Sequence, residues 1–535
     1  MRNIMLGLAA IVMAMPTLAV ALPPRNPFLA DSVIPIFHND SGQTGATAVP
    51  GPIDESRTIE QENIIWKKLG PSDGYSYQYS GLYPNGKRVG WFGGQQQLVK
   101  LDADTLETIS TYSLHEGKFY SPEEIGRLID KADKLSSQAL YDAIVPPLAI
   151  GIERGAQAIY RLIDNENNLY VLYTDRSSGD QYIRKFGDAV INDPNSDIVL
   201  KQQIKLPAEA GRRMTAIAMN MTYDGTIIVV TLDGTLFAVS RDFRILDKAV
   251  LADRATDGKE FMDAFVRNSI AIDDAGGIFI VTGTRMQRVK WTGTKLSFDE
   301  RDGAWSVPYA TGPRGSGTTP ALLGWEKASD KLVVIGDGVG NAVLYWRDHI
   351  PDDWRGLSGQ PRRVAAITPI RFGKNPIRLE NALVTQDYGI FVANDTLETK
   401  IPWQGSQMKT TLAEKYAGQT GGNEIRGGMK WTWNPQTRSL DIAWKTPLAL
   451  VASICTPNAN HLLYCVGMRD GASTIEAIDW NNGKSVFHYV LGKSYRYTAV
   501  GGLVNIAPNG DIECGCAGGF GMFRVRTPPQ ARFQQ

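Results

Sequence analysis

The chain has no net charge, because its 56 basic and 56 acidic side chains cancel. It also lacks any basic tract of five or more residues, and so lacks the electrostatic footprint by which nucleic-acid-binding proteins hold phosphates. Histidine is scarce: His38, His115, His349, His461 and His488 include no close pair, which argues against a multi-histidine copper or zinc centre. Cysteine is scarcer still, with Cys455, Cys465, Cys514 and Cys516 all in the last sixth of the chain. Beyond the N-terminus no stretch approaches ~18 uninterrupted apolar residues, so the mature chain is expected to have no membrane span. Neither His-Glu-x-x-His nor Gly-x4-Gly-Lys followed by Ser or Thr occurs, which removes zincins and P-loop enzymes. Gly336–Gly340 imitates a dinucleotide loop, but AVLYW follows it. A strand there offers phosphate no helix N-terminus, so these glycines read as a turn.

What is abundant is glycine, at 54 of 535 residues, joined by 28 prolines. Hydrophobic residues at 43% and charged residues at 21% are globular proportions. The length exceeds one ordinary core of ~150 residues unless the chain is a repeat or barrel. A repeat is present: an apolar strand, an Asp-Gly or Asn-Gly turn, a second β-rich strand, then a third after another glycine. The clearest copy runs from Met214 to Leu246 and the next from Asn268 to Phe298, with others from Asn381 and Gly502. Weaker copies begin near Tyr79, Ala158, Thr318 and Ser453. Both central turn residues need positive φ, which makes Asp-Gly and Asn-Gly strong hairpin signals. Small antiparallel sheets that cannot bury both faces alone do so when packed radially. The fold expected is all-β, a β-propeller of eight four-stranded blades, with seven as the alternative.

Other segments frame this repeat. Residues 1–21 form a signal peptide: Arg2 precedes an apolar run from Ile4 to Leu18, and Ala19-Val20-Ala21 is a small-x-small cleavage site. Export, to the periplasm or beyond, is therefore expected. Residues 22–62 are an extended leader, 63–527 the propeller and 528–535 a tail. The last copy shows only three strands, and NIIWKKLG (Asn63–Gly70) is a β-rich strand without a blade, so it is expected to complete that blade. A helical insertion is expected at 121–144, where Ser121 and Glu124 make a capping box. It is placed to roof one end of the ring. Disulfides suit an exported chain. Cys455 and Cys465 flank a hairpin that one bridge could close; a bridge across Cys514-Gly-Cys516 would be strained, and structural bridging between neighbouring strands is expected for Cys514 and Cys516.

Two propeller families are similar to individual copies. Thr474–Gly492 and Leu98–Leu114 resemble quinoprotein (PQQ-like) blades, with Ala-x-Asp, an x-Gly-Lys turn and an aromatic strand in the first. Asn268–Thr282 resembles the blade of lactonase and gluconolactonase propellers, where Asn heads an inner strand followed by apolar-Asp-x-Gly. Each resemblance covers about 30 residues and speaks to architecture more than activity. The lactonase resemblance implies a central Ca²⁺ held by Asn, Asp and Glu from several blades. Asn268, Glu380, Asn381 and Asp337 are the candidate ligands, since hard oxygens suit that ion. The quinoprotein resemblance implies a PQQ cofactor on an aromatic platform, for which no spacing identifies the residues.

His38 and Asp40 lie in PIFHNDSGQTGATAVPGP, a polar, turn-rich segment with no strand pattern. They offer a base and a carboxylate on a stretch able to cross the propeller mouth, and are the candidate catalytic pair. The function expected is binding of a small organic molecule at the tunnel mouth, as a Ca²⁺-assisted, lactonase-like hydrolase. The alternatives are a quinone-dependent oxidoreductase and a non-catalytic binding or assembly propeller.

Overall fold

The structure, a computed structural model, describes residues 21–528 other than 71–76, 94–95, 115–119, 154–159, 209–213, 252–264, 313–314, 326–329, 374–378, 396–424, 452–453, 500–501 and 516–518. The repeat copies fold as successive antiparallel meanders. Their inner strands begin at Gln78, Leu162, Ala216, Ala271, Ala321, Val384, Thr456 and Val504, close to where the sequence copies begin. Most meanders stand as separate sheets. Two are joined into one nine-stranded sheet where Ala449 and Leu450 pair with Met468 and Gly467.

The clearest copy shows why the pattern gives this fold. Its strands Ala216–Met221, Ile227–Thr231 and Thr235–Val239 are buried at every residue, while the outermost, Ile245–Val250, is half-buried or exposed. A sheet with neighbours on both faces reads as continuous apolar runs, and alternation returns only at the rim. Gly225 closes the first hairpin at φ +87°, and a Cβ there would stand 2.9 Å from the Phe28 ring. Indole N–H groups tie sheet to sheet. Trp291 donates to Asp224 at 2.9 Å, Trp305 to the Arg347 carbonyl at 2.9 Å, and Trp433 to Asp330 at 2.9 Å.

Ring closure follows the sequence reading. Ile64–Lys68 pairs antiparallel with Gly521–Val525, setting Trp66 opposite Phe523, and so becomes the outer strand of the last meander. Just before it, Arg57–Thr58 lies parallel on Ser485–Gly492, the outer strand of the preceding meander. The seam between last and first meanders holds a fully buried charge pair. The Arg524 guanidinium donates to Glu513 at 2.6 Å and to the Ala103 carbonyl at 2.7 Å, and the Tyr79 hydroxyl donates to Glu513 at 2.6 Å. Each charge is therefore met by a partner from across the seam.

The insertion expected at 121–144 is two helices, Pro122–Ala132 and Ser137–Glu153. The capping box is present: the Ser121 hydroxyl accepts from Glu124 N, and Ser121 N donates to the Glu124 carboxylate at 2.9 Å. Ile125, Ile129, Ile144 and Leu148 pack on Tyr495 and Phe520, so the pair covers the last meander at the end where inner strands begin. Asp133 fixes it there by accepting from Tyr495 N at 2.6 Å.

Removing residues up to Gly70 strips the outer strand from Gly521–Val525 and exposes its edge. That truncation is expected to aggregate in size-exclusion chromatography. A monomeric product with unchanged melting temperature would contradict this account of closure.

Candidate functional site

The leader does not lie across the propeller mouth; it fills the axis. Residues 34–47 bond to the inner strand of every meander described. Tyr79 N donates to the Ile34 carbonyl at 3.1 Å and Ile163 N to Pro35 at 2.7 Å. Ile272 N donates to Ser41 at 2.7 Å, Leu322 N to Gly42 at 3.0 Å and Thr385 N to Thr44 at 2.8 Å. Thr47 N donates to the Pro457 carbonyl at 3.0 Å. Side-chain amides supply the rest, from Asn220 to the Ser41 carbonyl at 2.9 Å and from Asn505 to Asn39 at 3.1 Å. His38, Asn39, Ser41, Gln43, Thr44 and Thr47 are buried in consequence. The chain turns tightly to do this: His38, Asn39, Gln43 and Gly45 all have positive φ, between 57° and 75°. Such backbone persists only where its surroundings over-determine it.

This placement separates the candidate pair. The His38 ring packs edge-on against Phe37 at 4.8 Å, and its buried Nδ1 has no hydrogen-bond partner among the described residues. Burial pushes its pKa down to about 3, so the imidazole is neutral at ordinary pH. The half-buried Asp40 carboxylate instead accepts from the Thr44 hydroxyl and from Thr44 N at 3.3 Å. Burial pushes its pKa up to about 7, against hydrogen bonds from Thr44, Gly42 and Gln43 that pull it down. Asp40 N donates to the His38 carbonyl at 3.0 Å, but no hydrogen bond joins the imidazole to the carboxylate among the described residues, so the two side chains do not form an acid–base pair there.

A second group of side chains meets on the axis at the end where inner strands begin. The Tyr160 hydroxyl donates to Asn268 Oδ1 at 3.3 Å, linking the second meander to the fourth. The Tyr160 ring also packs edge-on against Phe37 of the leader at 5.4 Å. The Arg267 guanidinium reaches Glu380 at 3.4 Å, linking the fourth meander to the sixth. Between them Gly317 leaves room that a side chain would fill: a Cβ there would stand 2.4 Å from Glu380 Oε2. Asn268 Nδ2 is buried without a partner among the described residues.

Of the four residues read as Ca²⁺ ligands, Asn268 and Glu380 belong to this cluster and the other two do not. Asp337 caps its own turn, accepting from Val339 N at 3.0 Å, Asn341 N at 2.7 Å and the Asn341 amide at 2.7 Å. The Asn381 amide donates to the Ala393 carbonyl of its own meander at 3.3 Å. Glu380 already faces a guanidinium. The four therefore supply no common oxygen cage, and no group of three or more histidines, cysteines or carboxylates suited to a metal occurs among the described residues. Arg267 and Tyr160 had no signal in the sequence, because the partners that bring them to this cluster, Glu380 and Asn268, lie more than 100 residues away. Cys455 and Cys465, opposite one another across a hairpin, form the expected disulfide. Cys514 is buried on the strand Ile512–Gly515, and Cys516 lies outside the described residues.

The two leader pKa values give opposite pH dependences. His38 is depressed below its ordinary 6.5, so its contribution to stability is complete above that pH and is lost as pH falls towards 3. Asp40 is raised above its ordinary 3.8, so its contribution is complete below that pH and is lost as pH rises through 7. Asp40→Asn should therefore gain stability relative to wild type between pH 4 and pH 7, and His38→Gln should gain as pH falls from 6.5. Denaturant melts across pH check both; parallel curves for variant and wild type would contradict the burial of these side chains.

No protein-family model matches the chain. An uncharacterized protein of Archaeoglobus fulgidus is 28% identical over 513 residues, spanning 92% of this chain and 88% of its own. Among solved structures, the quinohemoprotein alcohol dehydrogenase ADHIIG from Pseudomonas putida HK5 aligns with a TM-score of 0.51 at 10% identity, over 94% of this chain and 81% of that one. BamB from Moraxella catarrhalis aligns at 0.37 and 10% identity, over 65% of this chain and 79% of its own. At such identities the likeness concerns the fold. Meanders, ring closure and this likeness along most of the chain together make the protein a β-propeller resembling the quinoprotein type.

Proposed function

We propose that this is an exported propeller that binds a small organic molecule on its axis, at the end where the inner strands begin. The observation that carries the reading is the meeting of Tyr160, Asn268, Arg267 and Glu380 from three separate meanders, with the buried Asn268 Nδ2 donor lacking a partner among the described residues. Ligand sites combine apolar walls with a few convergent polar groups, and here the walls are Phe37 and the Tyr160 ring. The opposite end of the axis is taken up by the leader. His38, neutral and next to Phe37, is suited to hydrogen bonding with a neutral group. Export is supported by the disulfide, which persists in oxidising compartments.

The test is a thermal-shift screen of neutral and charged small organic molecules on protein exported with its own N-terminus, which should begin at Leu22. Stabilisation by a ligand bound to the folded state follows mass action. At least one compound should raise the melting temperature of wild type and fail to do so for Asn268→Leu. A screen with no hit, or hits indifferent to Asn268→Leu, would overturn the reading.

A further inference from the structure

We propose that the axial site takes a carboxylate ligand, and that Glu380 is the internal carboxylate which occupies its place on Arg267 until the ligand arrives. The inference rests on the axial reading above and adds the ligand's chemistry and a competitor built into the chain.

The two halves of the ion pair are held differently. The Arg267 side chain is only 4% exposed, whereas that of Glu380 is 30% exposed. A guanidinium so deeply buried requires an anionic partner, because an uncompensated buried charge is strongly destabilising. Their separation of 3.4 Å is long for a charge-assisted bond, which ordinarily closes to ~2.7–2.9 Å. Glu380 is anchored through its backbone: its N–H and that of Asn381 donate to Asp395 at 2.5 and 2.9 Å. The backbone is thus fixed in the sixth meander while the flexible side chain extends over Gly317 to the fourth.

A ligand carboxylate that replaces Glu380 leaves the buried charge balance unchanged, because one anion leaves Arg267 as another arrives. The displaced Glu380 is already partly exposed and returns to water at little cost. Asn268, the residue next to Arg267, supplies a buried amide donor that has no partner among the described residues. A carboxylate has two oxygens and gives such a donor its acceptor. His38 is neutral and adds no competing charge.

The experiment compares wild type with Glu380→Gln, which keeps shape and removes the competing charge. Melting temperature is measured against acetate, succinate and citrate, each matched in ionic strength with chloride. Wild type should be stabilised by at least one of them. Glu380→Gln should reach half-saturation at about tenfold lower concentration, the ratio expected if Glu380 occupies Arg267 for about nine-tenths of the time. Asn268→Leu and Arg267→Gln should both lose the response; Asn268→Leu decides the matter if Arg267→Gln fails to fold. Equal half-saturation in wild type and Glu380→Gln, or no carboxylate response in either, overturns the proposal. If neutral compounds stabilise through Asn268 while carboxylates do not, the axial site stands and the carboxylate assignment falls.

Discussion

Hydrogen bonding between the leader and the inner strands is the constraint on which the rest depends. In a closed ring of sheets, the inner strands turn backbone groups towards the axis, and buried groups of that kind must be paired. Here the chain supplies the partner itself, through carbonyls and N–H groups of residues 34–47 and the amides of Asn220 and Asn505. The same segment then leaves the axis along the seventh meander, where the Asn460 amide donates to the Gly51 carbonyl at 3.0 Å. It continues as two edge strands, on Ser485–Gly492 and on Gly521–Val525. One stretch of 35 residues, 34–68, thus seals the centre, the rim and the seam.

The polar chemistry of the ring follows from this. Filling the axis with backbone and small polar side chains leaves few positions for charge, and the buried charges are paired, some within a meander and some between meanders. Glu513 and Arg524 meet Tyr79 at the seam, Lys100 meets Asp188 at 2.5 Å between the first and second meanders, and Arg267 meets Glu380 over the axis. The first two pairs are almost fully enclosed and gain further bonds to carbonyls, as buried ion pairs need. The third has one partly exposed member. The proposed exchange of Glu380 for a ligand on Arg267 rests on that difference.

Much of the fold was legible because its signals are local. Asp-Gly and Asn-Gly mark hairpins through the positive φ they admit: at Asp470-Gly471 both residues take it, whereas at Asp224-Gly225 only the glycine does, and Gly225 N closes the turn on the Thr222 carbonyl. The unpaired strand at Ile64–Lys68 could be assigned because the last copy lacked one, and the Cys455–Cys465 bridge because a hairpin brings its ends together. The site was legible only in part. Asn381 and Asp337 carry the residue types of metal ligands, but their side chains bond to their own meander and turn. The same residues cap strands and turns, and sequence does not distinguish the two uses. The axial role of Ile34–Thr47 left no period to read, since its partners lie up to 466 positions away. Its one clue was a dense run of small polar and turn-forming residues with no strand of their own.

The account's central claim is that the leader is an axial element of the fold and not a surface strap. Hydrogen exchange measured by mass spectrometry on a peptide spanning residues 34–47 tests it most directly. The account predicts protection of Asn39, Gln43, Gly45 and Thr47 amides comparable to that of the inner strand Ala216–Met221, opening only with global unfolding. Exchange of these amides within seconds, while the inner strands stay protected, would contradict it.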